Sequence, residues 1–202
     1  WDTPVEFTSP ETSYLTNLIV LPKADKVTLQ VAQASGLEDT EIPLKITPHS
    51  GDPRETFVVT ISGIPEGAVL RYNGQAVEVT GGSWTMEGFD SSKSLTITPP
   101  LNSNQDFNLT VKSHAVDVLV INGVTHTHTG EDTTLTYPVH VKGVADKANL
   151  TSNDYEIAEN INDGNLNKIA LKDAFDASLQ DNDTSETLSL VISGLKEGFS
   201  IE

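Results

Sequence analysis

Short apolar runs rich in Val, Ile, Thr and Leu recur along this chain of 202 residues, separated by clusters of Gly, Pro, Asn and Asp. Such runs are typical of β-strands, and the clusters between them are typical of turns. Asn73-Gly74 favours a tight hairpin, and Pro99-Pro100 ends a strand because proline has no N–H to donate. We predict strands near residues 27–32, 42–47, 56–62, 68–72, 76–80, 94–98, 107–116 and 133–142, with another short strand within 117–124. The pattern predicts an all-β protein, an antiparallel β-sandwich.

The same pattern occurs twice in the chain. Val20–Lys26 aligns with Val141–Lys147 at an offset of 121 residues (146 minus 25). Ile61–Gly67 aligns with Ile192–Gly198 at an offset of 131 residues (192 minus 61), so the second copy carries an insertion before its loop. The repeat predicts the last strand and linker of a preceding or split module in 1–24, a complete module in 25–145, and the N-terminal half of a second, homologous module in 146–202.

The second copy carries two further signals. A short helix is predicted by the helical spacing of Leu171, Ala174, Phe175, Ser178 and Leu179. The apolar run Leu188–Leu195 predicts a buried strand. Because half of a module cannot bury its apolar face alone, we expect completion by the sequence that continues it, by a partner half across an inserted domain, or by strand exchange.

Charge and composition exclude several classes of function. The chain has 12 basic and 29 acidic residues, a net charge of −17 and no cysteine. Nucleic acids and anionic membranes require clustered Lys and Arg, so neither is an expected partner. Disulfides, thiolate zinc sites and cysteine nucleophiles are excluded. The apolar runs are far shorter than the ~20 residues of a membrane span, so no membrane insertion is expected. The acidity fits either a solvated surface or carboxylates that bind divalent cations.

The densest group of oxygen ligands is the loop Asp181–Glu186, with the sequence Asp-Asn-Asp-Thr-Ser-Glu. Carboxylates this close repel one another unless water or a cation screens their charge. Ca²⁺ accepts six to eight oxygen ligands in loose geometry, which such a loop can supply. The spacing is not that of an EF-hand, since Glu stands where that loop requires Gly. The loop is therefore either a calcium site or a solvated acidic turn.

Three stretches together resemble a known family: Asp181–Leu188, Ile192–Gly198 and Val139–Asp146. They are similar to the tandem immunoglobulin-like or cadherin-like modules of giant bacterial RTX adhesins, which act in biofilm and surface attachment. The resemblance covers nearly the whole chain. It implies Ca²⁺-rigidified β-sandwiches in an extracellular fibre on the bacterial cell surface. Neighbouring modules of the same adhesin would be the partners, with glycan or peptide bound through adjacent domains.

Cadherin-like organisation implies that an early carboxylate, a loop carboxylate and a linker Asp meet at each module junction. At the second junction the candidate calcium ligands are Asp146, Glu159, Asp181, Asp183 and Glu186. In the first module the equivalent candidates are Asp25, Glu38, Asp39, Asp52 and Glu55. The first loop, Ser50–Glu55, lacks the first Asp and contains Arg54. Its site is therefore kept by Asp52 and Glu55 alone or replaced by an Arg54 salt bridge.

Other candidate sites are weaker. Trp84 and Tyr72 could form a carbohydrate-stacking surface, although a core aromatic is the more frequent situation. His126 and His128, with Glu131, Asp132 or His114 nearby, allow a zinc or copper site or simply a polar edge. No nucleophile elbow, phosphate-binding loop or zinc-protease helix occurs, so we do not expect an enzyme. We expect a structural extender or scaffold segment, with a glycan- or peptide-binding module as the alternative. An accessory sandwich of a secreted hydrolase has no catalytic residue to support it.

Overall fold

The computed structural model describes residues 19–154, 170–180, 186–195 and 197. In chain order the strands are β1 Thr28–Val31, β2 Ala34–Leu37, β3 Ile42–Pro43, β4 Ile46–His49, β5 Thr56–Ser62, β6 Val69–Tyr72, β7 Gln75–Ala76, β8 Ser83–Glu87, β9 Leu95–Thr98, β10 Phe107–Ile121, β11 Val124–Thr129, β12 Thr133–Lys142, β13 Asn149–Ser152 and β14 Phe175–Ser178. The helix α1 spans Leu171–Ala174.

Two sheets form the sandwich of the first module, residues 25–145. The larger sheet has the order β2-β12-β10-β5-β8, and β11 pairs with the far end of β10. The smaller sheet has the order β3-β9-β6-β7, and β1 pairs with β4. Every pairing is antiparallel except that of β2 with β12. The fold is thus an all-β, essentially antiparallel β-sandwich, which confirms the predicted class.

The core lies between the two sheets and follows the period-two alternation of the strands. In β10 the odd-numbered residues from Leu109 to Asp117 face inward, while the even-numbered residues lie outside. Tyr137 and Val139 of β12 are almost fully buried beside them. Further fully buried side chains come from both sheets: Ile42, Val59, Ile61, Leu70, Ile97, Leu109 and Val111.

Each of the eight predicted strand regions overlaps a strand, and β5 and β12 have the predicted bounds, but the region 76–80 shares only Ala76 with β7. The predicted strand at 42–47 is divided, because the N–H of Leu44 bonds to Leu95 and the N–H of Lys45 bonds to the Tyr137 hydroxyl. The short strand expected within 117–124 is instead the continuation of β10. In the first module three strands were not predicted by the pattern: β2, β8 and β11. Tertiary pairing, rather than local apolar alternation, supports them.

The second copy reproduces part of the first. Asn149 of β13 opposes Ser178 of β14, just as Thr28 of β1 opposes His49 of β4. The predicted helix is wrong beyond α1, since Phe175–Ser178 is a strand held by this pairing. The predicted buried strand at Leu188–Leu195 is also wrong for the described chain. There Val191 is 87% exposed. In the first copy the matching β5 lies between β8 and β10, and the described part of the second copy contains no counterpart of either strand.

The predicted strand in residues 1–24 falls mostly on residues 1–18, which lie outside the described residues. The described remainder, from Ile19 to Ala24, contains no strand.

Tyr137 links the two sides of the sandwich, because its buried hydroxyl accepts the N–H of Lys45 at 2.8 Å. Burial also raises the pKa of the phenol. We expect Tyr137→Phe to lower the free energy of unfolding by about 1 kcal/mol, because the Lys45 N–H loses its acceptor. Urea denaturation would measure this change. Thr136→Val removes an exposed hydroxyl from the same strand and should change stability by less than about 0.5 kcal/mol. Equal effects of the two substitutions would contradict the structural role of the Tyr137 hydroxyl.

Candidate cation sites at the module boundaries

The same contact occurs where each module begins. The backbone N–H of Asp25 donates to Oε1 of Glu55 at 2.7 Å, and the N–H of Asp146 donates to Oε1 of Glu186. These pairs are equivalent in the repeat, and the turn glycines that follow them, Gly63 and Gly194, both have φ of 78°. In both copies, therefore, a loop glutamate accepts a hydrogen bond from the backbone N–H of a linker aspartate.

Each of these glutamates leaves one carboxylate oxygen without a partner. Oε2 of Glu55 and Oε2 of Glu186 are buried and accept no hydrogen bond, and Glu55 is only 7% exposed. A buried carboxylate oxygen costs free energy unless a donor or a cation compensates its charge. The local chemistry, an oxygen with no donor beside an acidic linker residue, fits a hard cation. Within the described residues, however, no three His, Cys, Asp or Glu side chains form a metal cluster.

At the first boundary an arginine occupies the acidic loop. Arg54 contacts both oxygens of Asp52, with Nη2 to Oδ2 at 2.5 Å and Nε to Oδ1 at 3.1 Å. The Arg54 side chain and backbone N–H together lower the pKa of Asp52 to about 2. Asp52 is the largest cause of the raised pKa of Arg54, followed by the charges of Asp117 and Glu55. Of the two alternatives that the sequence left open, the structure contains the Arg54 salt bridge.

Glycine at position 51 lets the linker carboxylate approach this loop. A Cβ at Gly51 would lie 2.8 Å from Oδ2 of Asp25, which is too close for any other residue without displacement. The structure therefore brings Asp25, Asp52 and Glu55 to the same end of the module. We call this end, where Thr133 begins β12 and bonds to Val27, the amino-terminal pole.

Glu38 and Asp39 lie at the opposite end, so the structure does not bring them together with the other first-module candidates. The N–H of Glu38 bonds to the carbonyl of Lys142, the last residue of β12. The length of β12 separates Lys142 from Thr133 by about 30 Å. Glu38 and Asp39 follow β2, which runs parallel to β12 and therefore ends at the same, carboxy-terminal pole.

Carboxylates at the carboxy-terminal pole also hold linker backbone. The N–H of Val144 donates to Oε1 of Glu38, which is 3% exposed and whose Oε2 has no partner. The N–H of Val141 donates to Asp106 at 2.8 Å, and Asp39 accepts the N–H of Asn102 at 2.8 Å. A groove of about 740 Å³ adjoins this linker and is lined on its second-copy side by Glu186 and Leu188.

The structure describes only part of the second candidate group. Asp146 and Glu186 are brought together by the hydrogen bond described above. Glu159, Asp181 and Asp183 lie outside the described residues.

The other predicted site residues have separate structural environments. Trp84 is 8% exposed, and its ring centroid lies 5.6 Å from that of Tyr72, whose hydroxyl bonds to the backbone of Asp90. Trp84 is thus a core residue rather than an exposed stacking platform. His126 and His128 share one face of β11, opposite Leu119 and Asp117.

The imidazoles do not converge on one site. His128 Nδ1 accepts the N–H of Ala24 at 3.0 Å. His114 occupies an even position of β10, on the other face of the sheet from His128, and contacts Asp132 at 2.9 Å.

Sequence reasoning missed several residues that hold the linkers. Asp117 accepts a linker N–H, and His128, which the sequence suggested only as a metal ligand, accepts another through a ring nitrogen. Asp106 accepts the N–H of Val141 at the end of β12, just before the linker. Asp117 carries a signal that could have found it, since it interrupts an alternating apolar strand at an inward position and is 6% exposed. Asp106 and His128 show no comparable signal, because each is an ordinary polar residue at a strand end or edge.

Comparisons with known proteins give only weak similarity, and that to solved structures. No protein-family model matches the chain, and no curated protein matches it. Among solved structures, a cohesin module from a Clostridium perfringens ATCC13124 family 33 glycoside hydrolase is similar at 12% sequence identity and a TM-score of 0.31. The match covers 60% of this chain and 100% of that one, and at this TM-score it carries no argument. In the described part of the chain, no helix is long and apolar enough to cross a membrane.

Asp106 should make the end of β12 sensitive to acid. The Val141 N–H, and then His140, lower its pKa below the ordinary value of 3.8. A depressed folded pKa stabilises the protein above the unfolded pKa of about 3.9, and this contribution disappears as pH falls through the folded value. We therefore expect Asp106→Asn to destabilise the protein at pH 5 and to match wild type more closely near pH 2. Urea unfolding at both pH values would measure this, with exposed Glu87→Gln as the control. A pH-independent difference would contradict the role of the carboxylate.

Proposed function

We propose that this chain is a calcium-rigidified structural segment, an extender or scaffold, of an extracellular bacterial adhesin. It would space or present ligand-binding domains for surface attachment. The observation that carries the proposal is the repeated boundary contact, in which Glu55 and Glu186 bind the backbone of Asp25 and Asp146 and each retains a buried, unpartnered oxygen. A feature that recurs at successive module boundaries acts on the angle between modules.

The side chains of the protein already fix the linkers at several points. At the second boundary Glu38 and Glu186 accept the linker N–H groups of Val144 and Asp146. Asp106 accepts the N–H of Val141 at the end of β12, just before the linker. Acceptors on both sides of the linker restrict its backbone, because moving one module would break charge-assisted hydrogen bonds. The function that these contacts support is mechanical.

A cation fits the oxygen atoms that remain without partners. Ca²⁺, when bound, would neutralise neighbouring carboxylates and accept oxygen ligands from both the loop and the linker. Glu186 and Asp146 would supply ligands at the second boundary, while Glu55 and Asp25 would supply them at the first. The two boundaries differ because Arg54 brings a positive charge to the first, whereas the repeat aligns Ser185 with that position.

The alternative, a glycan-binding module, has less support. Its proposed platform residue, Trp84, is buried beside Tyr72, and the Tyr72 ring stacks in turn on Phe89. We therefore assign any glycan or peptide binding to adjacent domains of the adhesin.

Calcium should stabilise the chain through the second boundary. At a concentration 100 times the Kd, a ligand specific for the folded state adds about 2.7 kcal/mol, which raises the Tm by roughly 5–10 °C. We expect this rise with Ca²⁺ and not with Mg²⁺, together with a saturable calorimetric signal. Glu186→Gln keeps an oxygen for the Asp146 N–H but removes the charge, and it should abolish most of the response.

Glu66→Gln is the matched control, because it makes the same charge change in an exposed turn. It should leave the Ca²⁺ response unchanged. If Ca²⁺ changes neither the Tm nor the calorimetric signal of the unmodified chain, the proposal that calcium rigidifies this segment is refuted.

Arg54 should keep the first boundary from binding Ca²⁺ tightly. Its guanidinium contacts both Asp52 oxygens, and its charge interacts with that of the Glu55 carboxylate. We expect Arg54→Ser to add a second calorimetric Ca²⁺ site or to raise the measured stoichiometry, because Asp52 and Glu55 then lose their fixed countercharge. Lys93→Ser, which removes a charge from a remote loop, is the control. Unchanged stoichiometry in Arg54→Ser would show that the arginine does not replace the ion.

A further inference from the structure

One hairpin of the first module extends beyond the sandwich. β12 pairs with β10 only as far as Ser113, and β5 pairs with it only as far as Val116. Beyond these points β10 pairs with β11 alone. We call Asp117–Thr129 the β10–β11 arm. Its tip is a tight turn at Asn122-Gly123, with φ of 51° and 81°, as in the rigid type I′ hairpin.

The arm projects at the amino-terminal pole. Its register runs from Asp117 opposite His128 to Ile121 opposite Val124. The four residue-to-residue steps from Asp117 to Ile121 span about 14 Å in an antiparallel strand. The arm is therefore a stiff projection of about this length rather than a short turn.

The base of the arm holds the chain that leads into the module. The N–H of Lys23 donates to Oδ2 of Asp117 at 3.1 Å, and the N–H of Ala24 donates to Nδ1 of His128 at 3.0 Å. Asp117 and His128 are directly opposite in the hairpin, so one cross-strand pair fixes two successive linker residues. The arm and the incoming linker thus form one continuous contact.

The arm exposes apolar surface that nothing in the described chain covers. Val118 is 52% exposed, Val120 is 61% exposed and Val124 is 57% exposed. Val118 and Val120 lie opposite Thr127 and Thr125, so the outer face there is β-branched and uncharged. No described strand pairs with the second edge of Asp117–Ile121. A two-stranded ribbon in water is marginal by itself, and natural edge strands usually carry charge or proline.

We propose that the β10–β11 arm docks on the carboxy-terminal pole of the module that precedes it in the array. This inference rests on the tandem arrangement in the proposed function. Val20 is the repeat equivalent of Val141, near the end of β12, and Ala24 lies four residues after Val20. An extended linker of that length spans at most about 14 Å. The preceding pole therefore lies within the reach of the arm.

The first module's own carboxy-terminal pole shows the kind of surface that would receive the arm. It exposes Leu37 (46%), Leu101 (80%) and Val144 (41%). Leu37 opposes Lys142 at the end of β12, and Leu101 precedes Asn102, which bonds to Asp39. Apolar side chains are thus available on both poles, so contact between them would be driven by burial and would not require an ion.

The test protein is a duplicate of residues 19–141 joined to residues 21–202. Val141 of the duplicate then takes the place of Val20. Every residue of the buried clusters lies between Ala24 and Val141, so the added copy contains a whole core. Because the chain has no cysteine, Ser103→Cys in the added copy and His126→Cys, on the arm face opposite Val118 and Val120, can carry spin labels selectively. We expect a narrow electron–electron distance distribution in EDTA as well as in Ca²⁺.

The variant Val118→Thr with Val120→Thr keeps the side-chain shape but makes the outer face polar, and it should at least double the width of the distribution. Val58→Thr makes the same change on the outer face of the same sheet within the sandwich and should leave the width unchanged. A broad distribution without substitutions, or a narrow one in the double variant, would overturn the docking.

Calcium calorimetry on the same protein separates the two proposals. If the distance distribution stays narrow in a protein that binds no Ca²⁺, the calcium proposal is refuted and the docking proposal stands. Ca²⁺ binding with an arm insensitive to Val118→Thr and Val120→Thr would refute the docking alone.

Discussion

The organisation of this protein depends on how the backbone of its linkers is satisfied. Linker N–H groups cannot pair within a sheet, and here side-chain acceptors take them up. Glu55, Asp117 and His128 do so before the first module, while Glu38 and Glu186 do so after it. Asp106 accepts the N–H of Val141 at the end of β12, just before the linker. A charged acceptor makes such a bond stronger than a neutral one. Each linker is thereby tied to the modules that it joins.

The sandwich lies between the two linkers and separates their points of attachment along one axis. β12 runs the length of the first module, beginning beside Val27 and ending beside Glu38. Both poles therefore carry buried carboxylates, and the core separates them by about 30 Å. Such a separation is consistent with the spacer role proposed above, because contacts at one boundary can be strengthened without disturbing the other.

The two boundaries balance their charge in different ways. Arg54 compensates the carboxylates of the first loop, and Ser185 offers no charge at the corresponding position of the second. Arg54 is bound to Asp52, so Oε2 of Glu55 and Oε2 of Glu186 both remain without a partner. The β10–β11 arm would add an apolar contact that is independent of both.

The sequence by itself determined most strands of the first module, the repeat and the all-β class, because alternation and turn residues are local properties of the chain. It also pointed to Glu55 and Glu186, since the repeat aligns their loops. Only the tertiary structure separated Glu38 from Asp25 and buried Trp84. It also directed Asp117 toward a linker 94 residues away in the chain. Those outcomes depend on strand order and register, which join residues distant in the chain and leave no local periodic signal.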